Sequence, residues 1–402
     1  MSNGVLRFPV GFLWGAATSS YQIEGGLTND WSEWEKSTRR LKDLEAHSLA
    51  PATDYQSGLA ANSWEQFEKD IVCLKKINAT AYRFSVEWSR IEPEEGKFNE
   101  EALARYRFFI QRLREEKIEP FVTLWHWPIP LWLRDKGGWE NSEIVSHYSR
   151  YVYKVVKSLS EVTFWTTLNE HNSYVGGSYI LGKWPPQKKN PLLAWRVIRH
   201  LIQAHRSGYE IIKKINPEHQ VGIASLAIYF EPMSRGINSI MAAIGNWWYN
   251  RYFFNQIKNY QDYIGINYYF HNRVKYGFGK NENKVVSDMG WELYPKGLYN
   301  LSMDAKRYGK PIYITEHGLA DAHDTHRAWY IQESLKYLHQ AISEGADVRG
   351  YFHWSLLDNF EWVFGYTHKF GLFSFDKKTW ERSARPSAEV YGEIAKTNEL
   401  KY

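Results

Sequence analysis

The chain has one cysteine, Cys73, in 402 residues, so no intramolecular disulfide can form. Cys73 occupies an apolar position of the helical pattern FEKDIVCLKKI, and we interpret it as a small core residue. No apolar run reaches the length of about 18 residues that a membrane-spanning helix needs. The first residues, MSNGVLRFPV, lack the charged-then-apolar order of a signal peptide. We therefore expect a cytoplasmic protein without a membrane segment.

An excess of one charge is also missing. The 50 Lys and Arg residues are interspersed with 45 Asp and Glu residues. Basic runs are as short as LKKI and QKK, so no stripe for nucleic acid and no polybasic membrane patch is predicted. The nearest approach to metal-ligand spacing is DAHDTH, residues 321–326, which we interpret as a solvated helix start. We predict no metal and no cofactor.

Aromatic residues, in contrast, are plentiful: they make up 17% of the chain and include 19 Trp. Trp and Tyr can stack on the C–H faces of a pyranose, and they can also fill a core. The hydrophobic share of 44% is enough for a large core and argues against extensive disorder.

Short apolar runs alternate with helical patterns along nearly the whole chain. The runs of strand length are residues 11–17, 81–86, 119–125, 162–168, 221–227, 262–268, 312–316 and 348–354. Helical spacing lies between them, as in residues 62–77, 100–116, 192–215 and 331–343. Near-continuously apolar strands, each followed by a helix, favour a closed parallel barrel over an open sheet. We predict one α/β domain over residues 1–402, a single (β/α)8 TIM barrel.

Two of these strands end in a carboxylate. The run VTFWTTLNE ends at Asn169 and Glu170, and PIYITEHG brings Glu316 to the end of a later strand. The C-terminal strand ends of such a barrel meet at one mouth, so we expect Glu170 and Glu316 to face one cavity. Other strand ends carry Arg83, His126, Trp127, Asn267, Tyr269 and Trp354. On spacing alone, a purely structural ion-pair network stays open as the alternative.

A cavity with two carboxylates, amides and tryptophans suits a carbohydrate. Cleavage of a glycosidic bond needs a proton for the leaving oxygen and stabilisation of an oxocarbenium-like centre, and two carboxylates in opposite roles provide both. One must stay protonated near neutral pH and the other must be ionised. A cation such as Arg83 favours the ionised form of a carboxylate beside it.

Eight segments, in order, resemble glycoside hydrolase family 1, the β-glucosidase-like glycosidases. They are FPVGFLWGAATSSYQIEGG, AYRFSVEWSRIEP, EPFVTLWHWPIPLWLRDKGGW, TLNE, DYIGINYY, DMGWELYPKGL, PIYITEHG and VRGYFHWSLLDNFEW. The resemblance covers nearly the whole chain. It implies a retaining β-glycosidase without metal or cofactor that acts on small-molecule β-glycosides or oligosaccharides, on β-D-glucosides first and also on β-galactosides and β-fucosides.

The resemblance also implies roles for individual residues. Glu170 matches the general acid/base, and Asn169 matches a contact to the sugar 2-hydroxyl. Glu316 matches the nucleophile, which Arg83 and Tyr269 would hold and tune. The positions expected to bind the non-reducing sugar are Gln22, His126, Trp127, Glu361 and Trp362, with Trp354 as the stacking floor and with Asn267 and Trp291 on the leaving-group side. His126 as a core histidine and Trp291 as packing are the alternatives.

Two positions bear on the branch of the family. An anionic Glu361 suits neutral hydroxyls and would repel a phosphate, which argues against the branch that acts on 6-phosphoglycosides. The carboxylate at Glu170 argues against the thioglucosidase branch, which carries glutamine at this position.

The chain departs from the family pattern beside both carboxylates. His171 stands where proline is usual after the acid/base, and His317 stands where asparagine is usual after the nucleophile. Successive strand residues point in opposite directions, so we expect neither histidine to touch the sugar. Our hypothesis is that both substitutions have modest effects.

The chain is also shorter than is common in the family. The compact segments are residues 227–262 and 271–289, and they predict an open cleft that accepts bulky aryl, alkyl or oligosaccharide leaving groups. Within the first segment, NWWYNRYFF (residues 246–254) is predicted to be mainly a buried helix. The alternative is a patch where subunits or an amphiphilic substrate dock.

Two other functional interpretations stay open. Transfer of the glycosyl group to an alcohol or sugar would compete with hydrolysis through the same covalent intermediate. A sugar-binding barrel that has lost catalysis would show replacement of a carboxylate, and both are present. The sequence also leaves open a homo-oligomer.

Overall fold

The computed structural model describes residues 4–48 and 50–401. Its strands are β1 (Val5–Arg7), β2 (Leu13–Ala17), β3 (Ala81–Ser85), β4 (Glu119–Thr123), β5 (Phe164–Asn169), β6 (Gln220–Leu226), β7 (Tyr229–Pro232), β8 (Ile264–Tyr268), β9 (His271–Val274), β10 (Ile312–His317), β11 (Val348–Trp354), β12 (Phe373–Phe375), β13 (Arg382–Ala384) and β14 (Glu399–Lys401). Its α-helices are α1 (Ser20–Ile23), α2 (Asp30–Glu35), α3 (Thr38–His47), α4 (Ser63–Lys76), α5 (Trp88–Ile91), α6 (Glu100–Glu115), α7 (Leu131–Asp135), α8 (Ile144–Ser158), α9 (His171–Val175), α10 (Pro191–Ile215), α11 (Ile237–Asn246), α12 (Tyr252–Ile257), α13 (Gly297–Ala305), α14 (Arg327–Ser343) and α15 (Pro386–Thr397).

Eight strands close into a parallel barrel. Around the barrel they run β2, β3, β4, β5, β6, β8, β10 and β11, and β11 pairs with β2. All eight strands predicted from the sequence are confirmed as barrel strands, with ends that differ by no more than two residues. The four predicted helices are confirmed as α4, α6, α10 and α14. The expected TIM barrel is therefore the architecture of the chain.

Local signals explain where the surrounding helices begin. Asn99 accepts a hydrogen bond from the Ala102 N–H at 3.0 Å and caps α6, and Asn190 accepts from the Leu193 N–H at 3.1 Å and caps α10. Pro191, the first residue of α10, has no N–H to leave unpaired. Such caps satisfy backbone donors that a helix start leaves free, and they separate each helix from the preceding loop.

The inside of the barrel has an aromatic layer below a polar one. Phe121 stacks on Phe164 with ring centroids 4.1 Å apart, and Tyr313 and Phe352 pack against Phe121. This layer fills the barrel toward the N-terminal strand ends and leaves no room for a pore. Polar side chains follow it at the C-terminal ends, where the mouth opens.

Shifts in strand register determine which side chains belong to the polar layer. The pairing of β5 with β6 shifts between Thr166 and Asn169, and the pairing of β10 with β8 shifts between Ile314 and Glu316. A bulge of this kind changes the strict alternation of side chains. Thr315 and Glu316, which are neighbours in sequence, both reach the interior for this reason: Thr315 Oγ1 donates to Asn267, and Glu316 accepts from Arg83.

Two expectations about residues away from the barrel mouth have different outcomes. Cys73 is buried on α4, so its prediction as a core residue is confirmed, and burial raises the pKa of its thiol to about 12. The interpretation of residues 321–326 as a solvated helix start is wrong in part. The helix start is confirmed, but Asp321 is buried and accepts the His326 and Arg327 N–H groups at the start of α14.

The predicted burial of residues 246–254 is wrong for its two tryptophans. The segment is helical, and Phe253 and Phe254 are buried, but Trp247 and Trp248 are 48% and 41% exposed. Aromatic residues lie on both the solvent-facing and the buried side of this helical segment. The sequence pattern therefore does not show which of them are exposed. No helix in residues 4–48 and 50–401 is both long and apolar enough to cross a membrane.

Candidate active site

A cavity of about 470 Å³ opens at the C-terminal ends of the barrel strands. Ten of the residues predicted for the site line it: His126, Trp127, Asn169, Glu170, Tyr269, Trp291, Glu316, Trp354, Glu361 and Trp362. The other three, Gln22, Arg83 and Asn267, are buried behind the wall and hydrogen-bond to residues that line it. The volume is within the range of a small-molecule site, and the lining combines aromatic rings with a few polar groups.

Glu170 lies at a sharp turn between β5 and α9. Its φ of 40° and ψ of 56° are in the left-handed region, which costs free energy for a residue other than glycine. Its Oε1 accepts a hydrogen bond from Asn267 Nδ2 at 2.9 Å, and its Oε2 accepts one from Ser173 Oγ at 2.7 Å. Both partners are neutral, and within the described part of the chain no ion pair involves Glu170.

Glu316 lies at the end of β10 and faces a cation. Its Oε1 accepts from Arg83 Nη1, and its Oε2 accepts from the Tyr269 hydroxyl at 2.6 Å. Arg83 is fully buried and also donates to Asn169 Oδ1 at 2.7 Å and to Thr123 Oγ1 at 3.2 Å. The guanidinium therefore has fixed partners and a fixed position, which holds Glu316 in one orientation.

The two buried carboxyl groups differ in the neighbouring groups that stabilise their ionised forms. Burial and the nearby Glu316 raise the pKa of Glu170 to about 7. Burial also raises the pKa of Glu316, but the Arg83 charge and the Tyr269 hydrogen bond oppose that rise. Near neutral pH, Glu170 is therefore partly protonated, whereas Glu316 has a cation and a hydroxyl donor that favour its ionised form.

Three residues form one side of the cavity through hydrogen bonds to each other. His126 Nε2 and Asn169 Nδ2 are 2.9 Å apart, and Trp127 Nε1 donates to the Asn169 carbonyl at 3.1 Å. Burial and the Arg83 charge lower the pKa of His126 well below its usual range, so its ring is neutral. His126 Nδ1 is buried without a hydrogen-bond partner in the described residues.

Gln22 and Glu361 belong to a second side. Gln22 Nε2 donates to the Phe360 carbonyl at 2.9 Å and lies 3.3 Å from Glu361 Oε2. Burial beside Glu316 and Glu170 raises the pKa of Glu361 to about 8. The anionic charge expected for Glu361 stays a prediction, and the two carboxyl groups beside it oppose that charge.

Aromatic rings complete the wall. Trp362 packs on Trp127 with ring centroids 4.4 Å apart, and Trp354 faces His126 at 6.0 Å. Trp291 lies beside Tyr269 at 6.0 Å and lines the opposite part of the cavity. These rings leave flat apolar faces next to the two carboxylates, on which the C–H face of a pyranose can stack.

Both histidines beside the carboxylates point away from the cavity. His317 Nδ1 is 2.8 Å from the Tyr351 hydroxyl, and its ring stacks on Tyr330 at 4.8 Å. His171 stacks on Phe253 with centroids 3.7 Å apart. Burial lowers the pKa of each ring to about 3. The expectation that neither contacts the sugar is thus consistent with where the structure places them.

Sequence reasoning missed several residues of the site. Ser173 bonds to Glu170, and Trp184 packs on Trp127 with centroids 4.6 Å apart. Thr315 donates to Asn267 Oδ1 at 2.7 Å and so turns the Asn267 amide nitrogen toward Glu170. The spacing of Ser173, three residues after Glu170, was a usable signal, because helical residues three apart are neighbours. Trp184 lies in a loop with no periodic pattern.

Comparisons with known proteins identify the family of the chain. The family model of glycosyl hydrolase family 1 matches residues 5–263 and 250–400. The 1,4-β-D-glucan glucohydrolase of Thermotoga neapolitana is 32% identical, with 98% of this chain and 99% of the relative covered. The β-galactosidase of Pyrococcus woesei is 29% identical, with 97% of each covered.

Solved structures give the same result. The β-glycosidase from Pyrococcus horikoshii superposes with a TM-score of 0.90 at 38% identity, and 99% of this chain and 97% of that chain are covered. The β-glucosidase from Thermotoga maritima in complex with deoxynojirimycin superposes with a TM-score of 0.88 at 29% identity, covering 98% and 99%. The barrel, the family match and these relatives lead to one conclusion: the chain belongs to glycosyl hydrolase family 1 and is a β-glycosidase.

Proposed function

We propose that the protein is a retaining β-glycosidase that removes terminal non-reducing β-D-glucosyl residues, and also galactosyl and fucosyl residues, as one catalytic domain over residues 1–402. The observation that carries this proposal is the unequal surroundings of the two carboxyl groups. Glu316 accepts from Arg83 and Tyr269, whereas the partners of Glu170 among the described residues, Asn267 and Ser173, are neutral. Double displacement needs this division between an ionised nucleophile and a protonated acid.

In the first step, a carboxylate oxygen of Glu316 attacks the anomeric carbon. The bond to the leaving oxygen breaks, and Glu170 transfers its proton to that oxygen, so the aglycone leaves as a neutral alcohol. The product is a glycosyl ester of Glu316. While Glu316 is esterified, Arg83 and Tyr269 keep their positions. They stabilise the Glu316 carboxylate again when the ester is cleaved.

In the second step, ionised Glu170 takes a proton from water, and the water oxygen attacks the anomeric carbon. The ester bond breaks, Glu316 regains its charge, and Glu170 is protonated again. An alcohol or sugar in place of water gives glycosyl transfer, so both reactions share the intermediate. We propose hydrolysis as the main reaction and assign Asn169 to the sugar 2-hydroxyl.

We assign the remaining residues by their place in the cavity. His126, Trp127, Glu361 and Trp362 bind the hydroxyls of the non-reducing sugar, with Trp354 beneath it, and Gln22, which was expected to bind them too, positions Glu361 from behind the wall. Trp291 lines the leaving-group side. Asn267, which lies behind the wall, positions Glu170 through its amide. The partner is a small β-glycoside or an oligosaccharide, and the short segments 227–262 and 271–289 leave room for long aglycones.

The stereochemistry of the first product tests this proposal. Proton NMR during hydrolysis of an aryl β-glucoside should show the β-anomer of glucose first, with the α-anomer appearing only by mutarotation. Release of the α-anomer first would contradict a retaining mechanism. A panel of aryl β-glucoside, β-galactoside and β-fucoside then ranks the sugars, and inactivity on all three would contradict the glycone assignment.

The aglycone part needs its own series. Alkyl β-glucosides of increasing chain length should keep or raise their kcat/KM, because the cavity is open on that side. A steep fall of kcat/KM as the chain is lengthened would contradict the open cleft while leaving the retaining mechanism intact.

A further inference from the structure

Helix α11 and the helical turn that follows it expose their large apolar side chains to solvent. The inner side of the helix carries small or polar residues: Ala242 and Gly245 are buried, and a Cβ on Gly245 would lie 2.9 Å from the Phe230 ring. We name the outer residues, together with Trp195 of α10, the apolar stripe. The apolar stripe consists of Ile237, Ile240, Ile244, Trp247, Trp248 and Trp195, which are 41% to 60% exposed.

The apolar stripe is continuous. Its members in the α11 region follow one another at three- and four-residue steps, so they lie on one helix face about 17 Å long. Trp195 joins this face, because its ring lies 6.3 Å from Trp248 and 5.5 Å from Tyr252. Exposed apolar surface arranged contiguously marks an interaction site, whereas single exposed residues do not.

The apolar stripe is held rigidly. Asn238 Oδ1 accepts the Tyr276 N–H at 2.7 Å, and Asn238 Nδ2 donates to Ser234 Oγ at 2.8 Å. Asn250 bonds to both backbone groups of Ile228, at 3.0 and 2.7 Å. The outward orientation of the isoleucines and tryptophans is therefore part of the fold.

The two segments that form the apolar stripe carry positive charge only, while Glu140 of another segment lines a surface cavity together with Trp195 and Arg196. Residues 171–209 and 232–261, which contain all of its members, hold nine Lys and Arg and no Asp or Glu. The remaining 333 residues hold 41 basic and 45 acidic side chains, so the whole positive excess of the chain resides in these two segments. Arg251 is paired with Asp304; the other eight form no ion pair within the described residues.

These segments meet in space. Arg206 of α10 donates to the Gln256 carbonyl of α12, and Trp195 contacts Tyr252. The basic side chains are far apart in sequence, which is why no polybasic run is visible there. Tyr249, which lies within the turn after α11, and the half-exposed Leu181 both line the active-site cavity. The apolar stripe is therefore next to the mouth of the cavity.

From these observations we propose that the apolar stripe docks the protein onto an anionic lipid surface, with its basic surroundings facing the lipid headgroups. Isoleucine and tryptophan side chains suit the boundary between headgroups and acyl chains, and lysine and arginine suit anionic headgroups. A second copy of the chain fits less well, because a two-fold contact through the same patch brings two predominantly basic surfaces together. Docking places the cavity mouth at the lipid surface.

Flotation with vesicles tests the proposal. One set contains phosphatidylcholine with about a quarter phosphatidylglycerol, and the other contains phosphatidylcholine alone. The wild-type protein should float with the anionic vesicles at low salt and much less with the neutral ones. Ile240→Gln with Ile244→Gln should lower the partition coefficient at least about ten-fold. The matched control, Val10→Gln with Val72→Gln, replaces exposed valines elsewhere and should bind as wild type.

A charge series tests the basic surroundings separately. Lys188→Gln, Lys189→Gln and Arg196→Gln together should lower binding roughly 100-fold at low salt. Lys157→Gln, Lys378→Gln and Lys396→Gln remove the same charge from other exposed positions and should have a much smaller effect. Unchanged thermal unfolding shows that each variant is folded, and vesicle binding can be measured whether or not the protein is catalytically active.

Three results would overturn the proposal. The first is a wild-type protein that does not bind the anionic vesicles. The second is an isoleucine variant that binds as well as wild type. The third is a wild-type dimer in light scattering that the isoleucine variant converts to a monomer, because the apolar stripe would then be an interface between copies.

Discussion

At the scale of single side chains, Glu170 and Glu316 differ in the charge that each one faces. Arg83 stabilises the ionised form of Glu316, while Ser173 and Asn267 offer Glu170 only neutral donors. Ser173 is thus the residue through which the acidity of Glu170 can be changed without loss of a charge.

Ser173→Ala should raise the pKa of Glu170 further, because the Oγ donor at 2.7 Å favours the ionised carboxylate. The acid step needs protonated Glu170, so the alkaline limb of the kcat/KM profile lies near pH 7 in the wild type and should move upward by roughly half to one pH unit. Ser178→Ala, at a buried serine whose hydroxyl has no partner in the described residues, is the control. An unchanged alkaline limb in Ser173→Ala would contradict the assignment of Glu170 as the acid.

His317→Asn should leave the acidic limb of the same profile within about one unit of wild type. Burial keeps the pKa of His317 at about 3, and the ring bonds to Tyr351 away from the cavity. The variant should lower the Tm, since the stacking on Tyr330 and the Tyr351 bond are lost. A larger movement of the acidic limb would show that His317 tunes the nucleophile.

The sequence predicted that the two carboxylates and the aromatic residues would line one cavity, because they stand at strand ends in recognisable segments, and the structure places them there. The sequence also placed Asn267 on the cavity wall, whereas its Nδ2 bonds to Glu170 from behind the wall, since Thr315 fixes the amide orientation. The charge of Glu361 cannot be read from the sequence either. Its pKa depends on the nearness of Glu316 and Glu170, and that nearness exists only in the folded barrel.

At the scale of elements, the eight strands follow from apolar runs of strand length, and the barrel follows from the helix after each strand. The register shifts in β5 and β10 do not follow from any run or period. They depend on pairing with neighbours distant in sequence, and they decide that Asn169 and Glu316 face the cavity. The exposure of Trp247 and Trp248 depends in the same way on which side of α11 packs on β7.

The short helical segment after Glu170 positions the tryptophan wall through a glycine. A Cβ on Gly177 would lie 2.4 Å from the Trp184 ring, and Trp184 packs on Trp127. Gly177→Ala should therefore lower the free energy of unfolding by roughly 1–3 kcal/mol. The adjacent Gly176→Ala has no atom within 4 Å of its new Cβ and should be neutral or slightly stabilising. Equal Tm values for the two variants would contradict close packing of Trp184 in this wall.

At the scale of the whole molecule, several acids are buried behind the sugar-binding side of the cavity. Burial raises the pKa values of Glu24, Asp30 and Glu35 to about 7. Glu35 accepts from the Tyr21 hydroxyl at 2.6 Å and from the Ser57 N–H at 2.9 Å, and Tyr21 stacks on Trp362 of the cavity wall. The protonation of these acids is therefore linked to the stability of the fold.

Glu35→Gln should flatten the dependence of Tm on pH. The folded pKa of Glu35 is raised above its unfolded value, so the folded state binds more protons between about pH 4.5 and 7. The stability that this group contributes is fully present below about pH 4.5 and is lost as the pH rises through about 7. Between pH 5 and 8 the Tm of Glu35→Gln should fall less than that of wild type. Glu33→Gln, at an exposed position of the same helix, should behave as wild type; an equal fall in all three proteins would contradict the account.

The central claim is that Glu316 is the nucleophile and Glu170 the acid/base, and azide rescue of Glu316→Gly tests it most directly. With an activated aryl β-glucoside, the variant should lose activity by several orders of magnitude. Added azide should restore aryl release and give the α-glycosyl azide, because azide attacks the anomeric carbon from the side that the carboxylate has vacated. A variant that keeps its activity, or one that azide rescues as the β-glycosyl azide, would contradict the assignment of Glu316.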